Sequence, residues 1–373
     1  MSLPNRIYSL DIARGIAALS IVFWHWRHYY YNDQGELIDN YSIYFMPFYT
    51  YIPTLYKHMG ILSLYFFFTL SGFVFFWLYA EKIANRRCTF KQFTIARFAR
   101  LYPLHLLTLI LVGILQSIYW GQSQSYFVFL YNDLYHFMLQ LLMINSWGLA
   151  EGHSFNGPFW TVSLEIMFYL FFFTISFFRL SRLLPTLIIF GIIFLIRQYG
   201  GRLINVIHAH AFMAGFECFM LGGVTYFCTE LYLSNRFRST FIDIGVMSLI
   251  CVLWLSLLCE PIGHYMGSHY DLFARTFMPL TIFALVIGEC VSSVSPKPFH
   301  WIGEITYSVY LLHFPLQIIY SFYFREVGAS IEIYKSPWVM ASFFIILIPM
   351  SWLTYQYFES PMRTWLRQRL TRE

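Results

Sequence analysis

LDIARGIAALSIVFWHW, residues 10–26, is an apolar run that carries Asp11 and Arg14 at its start and His25 near its end. Read as a helix, it approaches the roughly 20 residues needed to cross a bilayer. An unpaired charge inside such a helix costs about 2.5–3.5 kcal/mol even on lenient scales, so its ionisable residues are candidates for function. Arg14 and His25 are eleven positions apart, three helical turns to within about 20°, and so share one face. The rise between them is roughly 16 Å.

The rest of the chain repeats this apolar character. Of its 373 residues 58% are hydrophobic, 22% aromatic and only 12% charged, where a soluble domain carries about 25% charge. The apolar residues fall in long blocks, which predicts an all-α polytopic membrane helix bundle built as a single domain over 1–373. Ten spans are expected, at approximately 8–28, 59–80, 101–120, 158–178, 183–200, 211–229, 240–258, 273–293, 301–323 and 337–358. The positive-inside rule orients them. One side holds Arg6, then Lys82, Arg86, Arg87 and Lys91, then Arg179 and Arg182, then Arg236 and Arg238, then Lys297, and finally Arg363, Arg367, Arg369 and Arg372. The other side holds Asp33, Glu36, Asp39, Asp133, Glu151, Asp271 and Glu332. Both termini are therefore expected in the cytoplasm.

Residues 125–146, SYFVFLYNDLYHFMLQLLMINS, are apolar but interrupted by Asn132, Asp133 and His136. A span here would break the alternation of every later loop, so an interfacial or re-entrant helix on the outer side is expected. The net charge of +5 comes from the loops and implies membrane topology rather than a nucleic-acid partner. The six cysteines, Cys88, Cys218, Cys228, Cys251, Cys259 and Cys290, show no CxxC spacing, so neither a zinc site nor a disulfide framework is expected. No cleavable signal peptide is expected, because Asp11 and Arg14 interrupt the first apolar block.

Further polar residues stand out. In RFARLYP, Arg97 and Arg100 precede Pro103 at spacing i, i+3, on one face suited to a phosphate-bearing ligand; flanking topology charge is the plain alternative. GPFWTVSLEIMFYL places Ser163, Glu165 and Tyr169 at the outer start of the fourth span, with Trp160 before them as an interface anchor or a substrate contact. WIGEITYSVYLLHFP carries His313 to mid-depth in the ninth span, where a packing role is the alternative. Arg14, Arg97 and Arg100 thus form a cytoplasmic layer, and His25, Glu165 and His313 an outer one. This arrangement suits a cytoplasmic anion reaching up to a histidine, and equally a transporter with a charged pathway.

In order along nearly the whole chain, YSLDIARGIAALSIVFWH, FFFTLSGFVFF, RFARLYP, FWTVSLEIMFYL, ITYSVYLLHFP and YQYFESPMR resemble the acyltransferase-3 family of integral membrane O-acyltransferases. One departure is Ile166, where the family often has tryptophan after the glutamate. The resemblance implies His25 as catalytic base and Arg14 as a partner of the acyl donor. It implies acetyl-CoA as donor substrate and a hydroxyl of a cell-surface polysaccharide, or of its lipid-linked precursor, as acceptor. It further implies the bacterial inner membrane and a stand-alone form without an extracytoplasmic hydrolase domain. Imidazole suits the base, since its unperturbed pKa near 6.5 matches proton transfer near neutrality. Glu165 is expected to orient that imidazole or hold the acceptor, with Trp160, Ser163, Tyr169 and His313 as substrate contacts, Arg97 and Arg100 on the donor, and no metal. The rival reading is a transporter that moves an acyl group or glycan without covalent transfer. Paired repeats with interrupted helices often mark transporters, and no internal repeat is visible.

Overall fold

A computed structural model describes residues 3–4, 6–38, 43–199, 209–234, 239–256, 269–292 and 295–372. Asp39, Gly200, Arg236, Arg238, Leu257, Leu258, Cys259 and Ser293, named or spanned above, lie outside the described residues. The described chain is helical, with no strand and one isolated antiparallel bridge, Tyr31 to Leu37.

Each expected span coincides with a helix. These are α1 (Tyr8–His25), α2 (Met59–Phe75), α3 (Phe90–Ser123), then after a short α4 (Leu134–Leu141) α5 (Trp160–Phe177) and α6 (Leu183–Tyr199). There follow α7 (Ala209–Ser234), α8 (Thr240–Ser256), α9 (Tyr270–Val291), α10 (Thr306–Glu326) and α11 (Pro337–Thr354), and α12 (Ser360–Arg372) closes the described chain. Among the described residues six stretches are long and apolar enough to cross a membrane: Met59–Ala84, Phe90–Ser123, Gly157–Phe177, Ala211–Ser234, Tyr270–Val291 and Pro337–Thr371. Helices α6 and α8 are apolar but shorter, while α1 and α10 carry the polar residues singled out above. The helix around RFARLYP begins at Phe90, eleven residues before the expected span, so Arg97 and Arg100 lie within it. A π-helical turn, Tyr355–Glu359, carries α11 into α12.

The segment 125–146 holds only the eight-residue α4, far short of a bilayer crossing. Its polar interruptions have a physical reason: irregular backbone in a membrane protein needs its N–H and C=O groups satisfied. Gln116 of α3 bonds the Phe127 backbone both ways, Nε2 to the carbonyl and Oε1 from the N–H, each at 2.9 Å. Asn132 Oδ1 accepts from Phe155 N at 2.7 Å. Asp133 caps α4, accepting from the His136 N–H at 2.9 Å and pairing with its ring at 2.8 Å. What burial Asp133 has would raise its carboxyl, but the hydrogen bonds from His136 outweigh this and hold it below the ordinary aspartate value.

Two compact units divide the chain: Met1–Ser20 with Lys57–Thr89 and Met167–Glu304, and Ile21–Tyr56 with Phe90–Ile166 and Ile305–Glu373. In the first unit α2 and α7 pack backbone to backbone. A Cβ on Gly222 would strike the Thr69 carbonyl, and one on Gly72 the Phe219 carbonyl. Small residues of this kind let membrane helices approach closely. Around them Leu62, Phe66, Phe73, Phe277, Met278 and Ile282 are buried in one cluster. The same unit buries a charge cluster: Glu217 of α7 meets Arg197 of α6 at 2.7 Å and Arg275 of α9, and Arg197 also meets Asp271. In the second unit Tyr307 of α10 donates to the Leu101 carbonyl of α3 at 2.6 Å. Ser308, beside it, donates to the buried Glu359 at 2.8 Å.

Candidate functional site

The second unit brings three histidines together at the C-terminal end of α1. His25 is the last residue of α1, and a tight turn over Trp26–Tyr30 follows it. Trp26 holds this turn by donating its indole N–H to the Tyr334 carbonyl at 2.8 Å, and Tyr29 stacks on the Tyr334 ring at 3.9 Å. Arg27 donates to the Trp24 and Tyr56 carbonyls and lies 4.1 Å over the Trp24 ring. The turn therefore has little freedom to move His25 or His28.

His25 Nδ1 lies 2.9 Å from His313 Nε2, and the two rings are parallel to within 8°. His313 Nδ1 lies 2.7 Å from the Tyr310 carbonyl, which can only accept. That contact assigns the proton of a neutral His313 to Nδ1 and leaves Nε2 as an acceptor. His25 Nδ1 must then be the donor, so the lone pair of a neutral His25 resides on Nε2. Among the described residues nothing hydrogen-bonds His25 Nε2. His25 is 8% exposed, whereas His313 is fully buried.

Two residues not singled out from the sequence complete the cluster. Gln317, one turn beyond His313 on α10, donates from Nε2 to the His25 carbonyl at 2.9 Å. Its Oε1 therefore accepts from His28 Nδ1, also at 2.9 Å, and the His28 ring stacks on His25 with centroids 4.6 Å apart. The i, i+4 spacing of His313 and Gln317 on one helix face was the signal for Gln317. Asn156 lies alongside, fully buried, donating to the Leu311 carbonyl at 3.0 Å while its Oδ1 has no hydrogen-bond partner among the described residues.

The arginine pair lines a different part of the same unit. Arg97 and Arg100 of α3 share a cavity of about 510 Å³ with Arg363, Thr364, Arg367, Gln368 and Thr371 of α12. No carboxylate is among the described residues lining it. Tyr307 bonds the carbonyl next to Arg100, and His313 lies six residues further along α10, about 9 Å of helix rise. Helices α3 and α10 thus connect the arginine cavity to the histidine cluster.

The other expected site residues fall as follows. Ser163 is buried, donating to the Met143 carbonyl at 2.9 Å and accepting from Ser146 N at 3.2 Å, so it ties α5 to the segment after α4. Trp160 faces the His153 ring at 6.0 Å. Glu165 is half-buried on α5. Tyr169 belongs to the first unit, stacked on Phe75 at 4.3 Å. Arg14 also belongs there: it donates to the Gly303 carbonyl at 2.7 Å and pairs with Asp11 at 3.3 Å. Asp11 in turn holds Arg6 at 2.8 Å, and Arg6 reaches Glu304 at 3.3 Å. Among the described residues no group of three or more His, Cys, Asp or Glu side chains is arranged to hold a metal ion.

A multi-pass membrane protein with a histidine pair at a helix end and a basic cavity is what these elements define. The acyltransferase-3 family, described as an acyltransferase domain, matches residues 7–356, and the chain belongs to it. An alignment with protein 2 in the picA locus of Rhizobium radiobacter is 34% identical over 30% of this chain and 46% of that protein. ORF330 of Acidianus two-tailed virus, whose name proposes an acetyltransferase, is 28% identical over 60% of this chain and 64% of its own length. The acyltransferase MdmB of Streptomyces mycarofaciens is 33% identical over 34% of this chain and 30% of its own. The chain thus spans between 30% and 64% of the length of these relatives. No solved structure matches it.

Proposed function

We propose that the protein is a membrane-embedded O-acetyltransferase that moves an acetyl group from cytoplasmic acetyl-CoA to a hydroxyl of a cell-surface polysaccharide or its lipid-linked precursor. In this reading it crosses the bacterial inner membrane ten times, with both termini in the cytoplasm. The observation that carries the reading is the His25–His313–Tyr310 chain, which leaves the basic nitrogen of His25 without a partner among the described residues.

The hydroxyl oxygen attacks the thioester carbonyl carbon while its proton passes to His25 Nε2. The C–S bond then breaks, and the leaving thiolate takes that proton back from Nε2. Charge on the imidazolium is met at Nδ1 by His313, the general logic of a base oriented by a third group. Arg97 and Arg100 hold phosphates of the donor by charge-assisted hydrogen bonds. Glu165 orients the imidazole or holds the acceptor, and Trp160 and Ser163 contribute to the acceptor path.

The test is acetyl transfer by the purified protein in nanodiscs from isotopically labelled acetyl-CoA to lipid-linked glycan extracted from its own cells. Label should appear on the glycan with wild type and not with His25→Gln. Label absent from every acceptor, together with movement of intact acetyl-CoA or glycan across a sealed vesicle, would overturn the proposal in favour of a transporter.

A further inference from the structure

The cavity at the start of α3 has a second pair of arginines that the donor reading alone does not require. Arg97 and Arg100 stand at i, i+3 on α3, and Arg363 and Arg367 at i, i+4 on α12, so each pair occupies one face of its helix. Thr364, Gln368 and Thr371 add neutral polar side chains from α12, and the described lining supplies no acid. Four guanidiniums lining a cavity of about 510 Å³ offer a polyanion charge-assisted hydrogen bonds from two helices. Helix α12 is fixed for this role: the turn that precedes it is anchored where Glu359 accepts from Ser308, next to the Tyr307 bond to α3.

We propose that α12 is a donor-binding element, in which Arg363 and Arg367 hold one phosphate group of coenzyme A while Arg97 and Arg100 hold another. This rests on acetyl-CoA being the donor. The nucleotide end of coenzyme A carries two separate phosphate groups, a 3′-phosphomonoester of about −1.5 to −2 charge and a pyrophosphate of about −2. Their sum matches four arginines, and each planar guanidinium can bind a phosphate bidentately. A ligand with only one of the two groups makes the charge-assisted bonds of one arginine pair and forgoes those of the other. The enzyme therefore discriminates coenzyme A from dephospho-coenzyme A.

The test is calorimetric titration of the full-length protein with coenzyme A and with dephospho-coenzyme A in neutral detergent, repeated in nanodiscs with and without phosphatidylglycerol. Wild type should bind coenzyme A about tenfold or more tighter than the dephospho form. In the Arg363→Ala/Arg367→Ala double variant coenzyme A should weaken by about tenfold or more. Arg363→Lys/Arg367→Lys should recover part of that loss, because it keeps charge without the fork. Equal binding of the two ligands by wild type overturns the proposal even if the alanine variant does not fold. Unchanged coenzyme A affinity in the alanine variant also overturns it, and loss of phosphatidylglycerol binding there would assign the cavity to a lipid headgroup. Failure of the acetyltransferase reading looks different: coenzyme A binds and the variants weaken it, yet no acetyl group reaches any acceptor.

Discussion

His25 donates from Nδ1 to His313 Nε2 across 2.9 Å, and His313 donates from its own Nδ1 to the Tyr310 carbonyl across 2.7 Å. The backbone of α10 thereby dictates which nitrogen of His25 is basic. A carboxylate in the place of His313 would do the same while adding a charge; the neutral ring fixes the tautomer without one.

Substitution at these two positions should separate a base from its positioning residue. His25→Gln should lower kcat by about 10²–10⁴-fold, since it can hydrogen-bond but cannot take a proton. His313→Ala should lower kcat by less and leave the acetyl-CoA KM unchanged. His313→Gln should recover part of that loss, because its Oε1 can accept from His25 Nδ1 where the imidazole nitrogen did. Transfer should fall as pH drops, because only neutral His25 accepts the proton. Kinetics of the three variants across pH check this, and a His313→Gln no better than His313→Ala would make His313 a packing residue.

Close packing of α2 on α7 leaves no room for a methyl at Gly222, whose added Cβ would meet the Thr69 carbonyl. Gly222→Ala should therefore destabilise by about 1–3 kcal/mol or more. Gly191 of α6 has nothing within 4 Å of its added Cβ. Gly191→Ala should be neutral or gain up to about 1 kcal/mol from helix propensity. Thermal unfolding of both variants in the same detergent measures the contrast; equal effects would argue against a backbone contact.

The buried charge cluster predicts an asymmetric response. Glu217 is 1% exposed and faces both Arg197 and Arg275. Glu217→Ala removes the anion, leaving Arg275 without the carboxylate it pairs with and Arg197 paired with Asp271, a loss of about 3–5 kcal/mol for a broken buried pair. Glu217→Gln keeps an acceptor in place and should cost less. Folded yield and unfolding temperature report the difference, and a harmless Glu217→Ala would mean the cluster is open to water.

The helices and several residues of the candidate site were legible in the sequence because both leave a local pattern. Apolar blocks located every long helix among the described residues, and His25 and His313 stood out as ionisable residues inside them. The rule that flags Glu165 applies equally to Glu217, yet what distinguishes Glu217 is its partners on α6 and α9, 20 and 58 positions away. Arg363 and Arg367 read as ordinary topology charges. Only the helical continuity through Tyr355–Glu359 sets them beside Arg97 and Arg100. His28 was hidden because it follows the helix, in a turn whose fixed geometry depends on Tyr334. Asn132, Asp133 and His136 were visible as interruptions, but their use as backbone partners follows from tertiary contacts.

Arg14 is the residue for which motif and structure suggest different uses. The family resemblance makes it a partner of the acyl donor, whereas in the first unit it clasps Asp11 and the Gly303 carbonyl. Gly303 packs so closely that an added Cβ would meet the Asp11 backbone, so this clasp depends on a tight approach. Arg14→Lys can still pair with Asp11 but cannot present the guanidinium fork. Asp11→Asn weakens the clasp while leaving the guanidinium in place. If Arg14 meets the donor, Arg14→Lys should raise the acetyl-CoA KM about tenfold or more with little change in unfolding temperature. Asp11→Asn should do the reverse, lowering the unfolding temperature at nearly constant KM. Should both variants lose stability together and leave KM alone, Arg14 serves the clasp, and donor recognition rests on the arginines of α3 and α12.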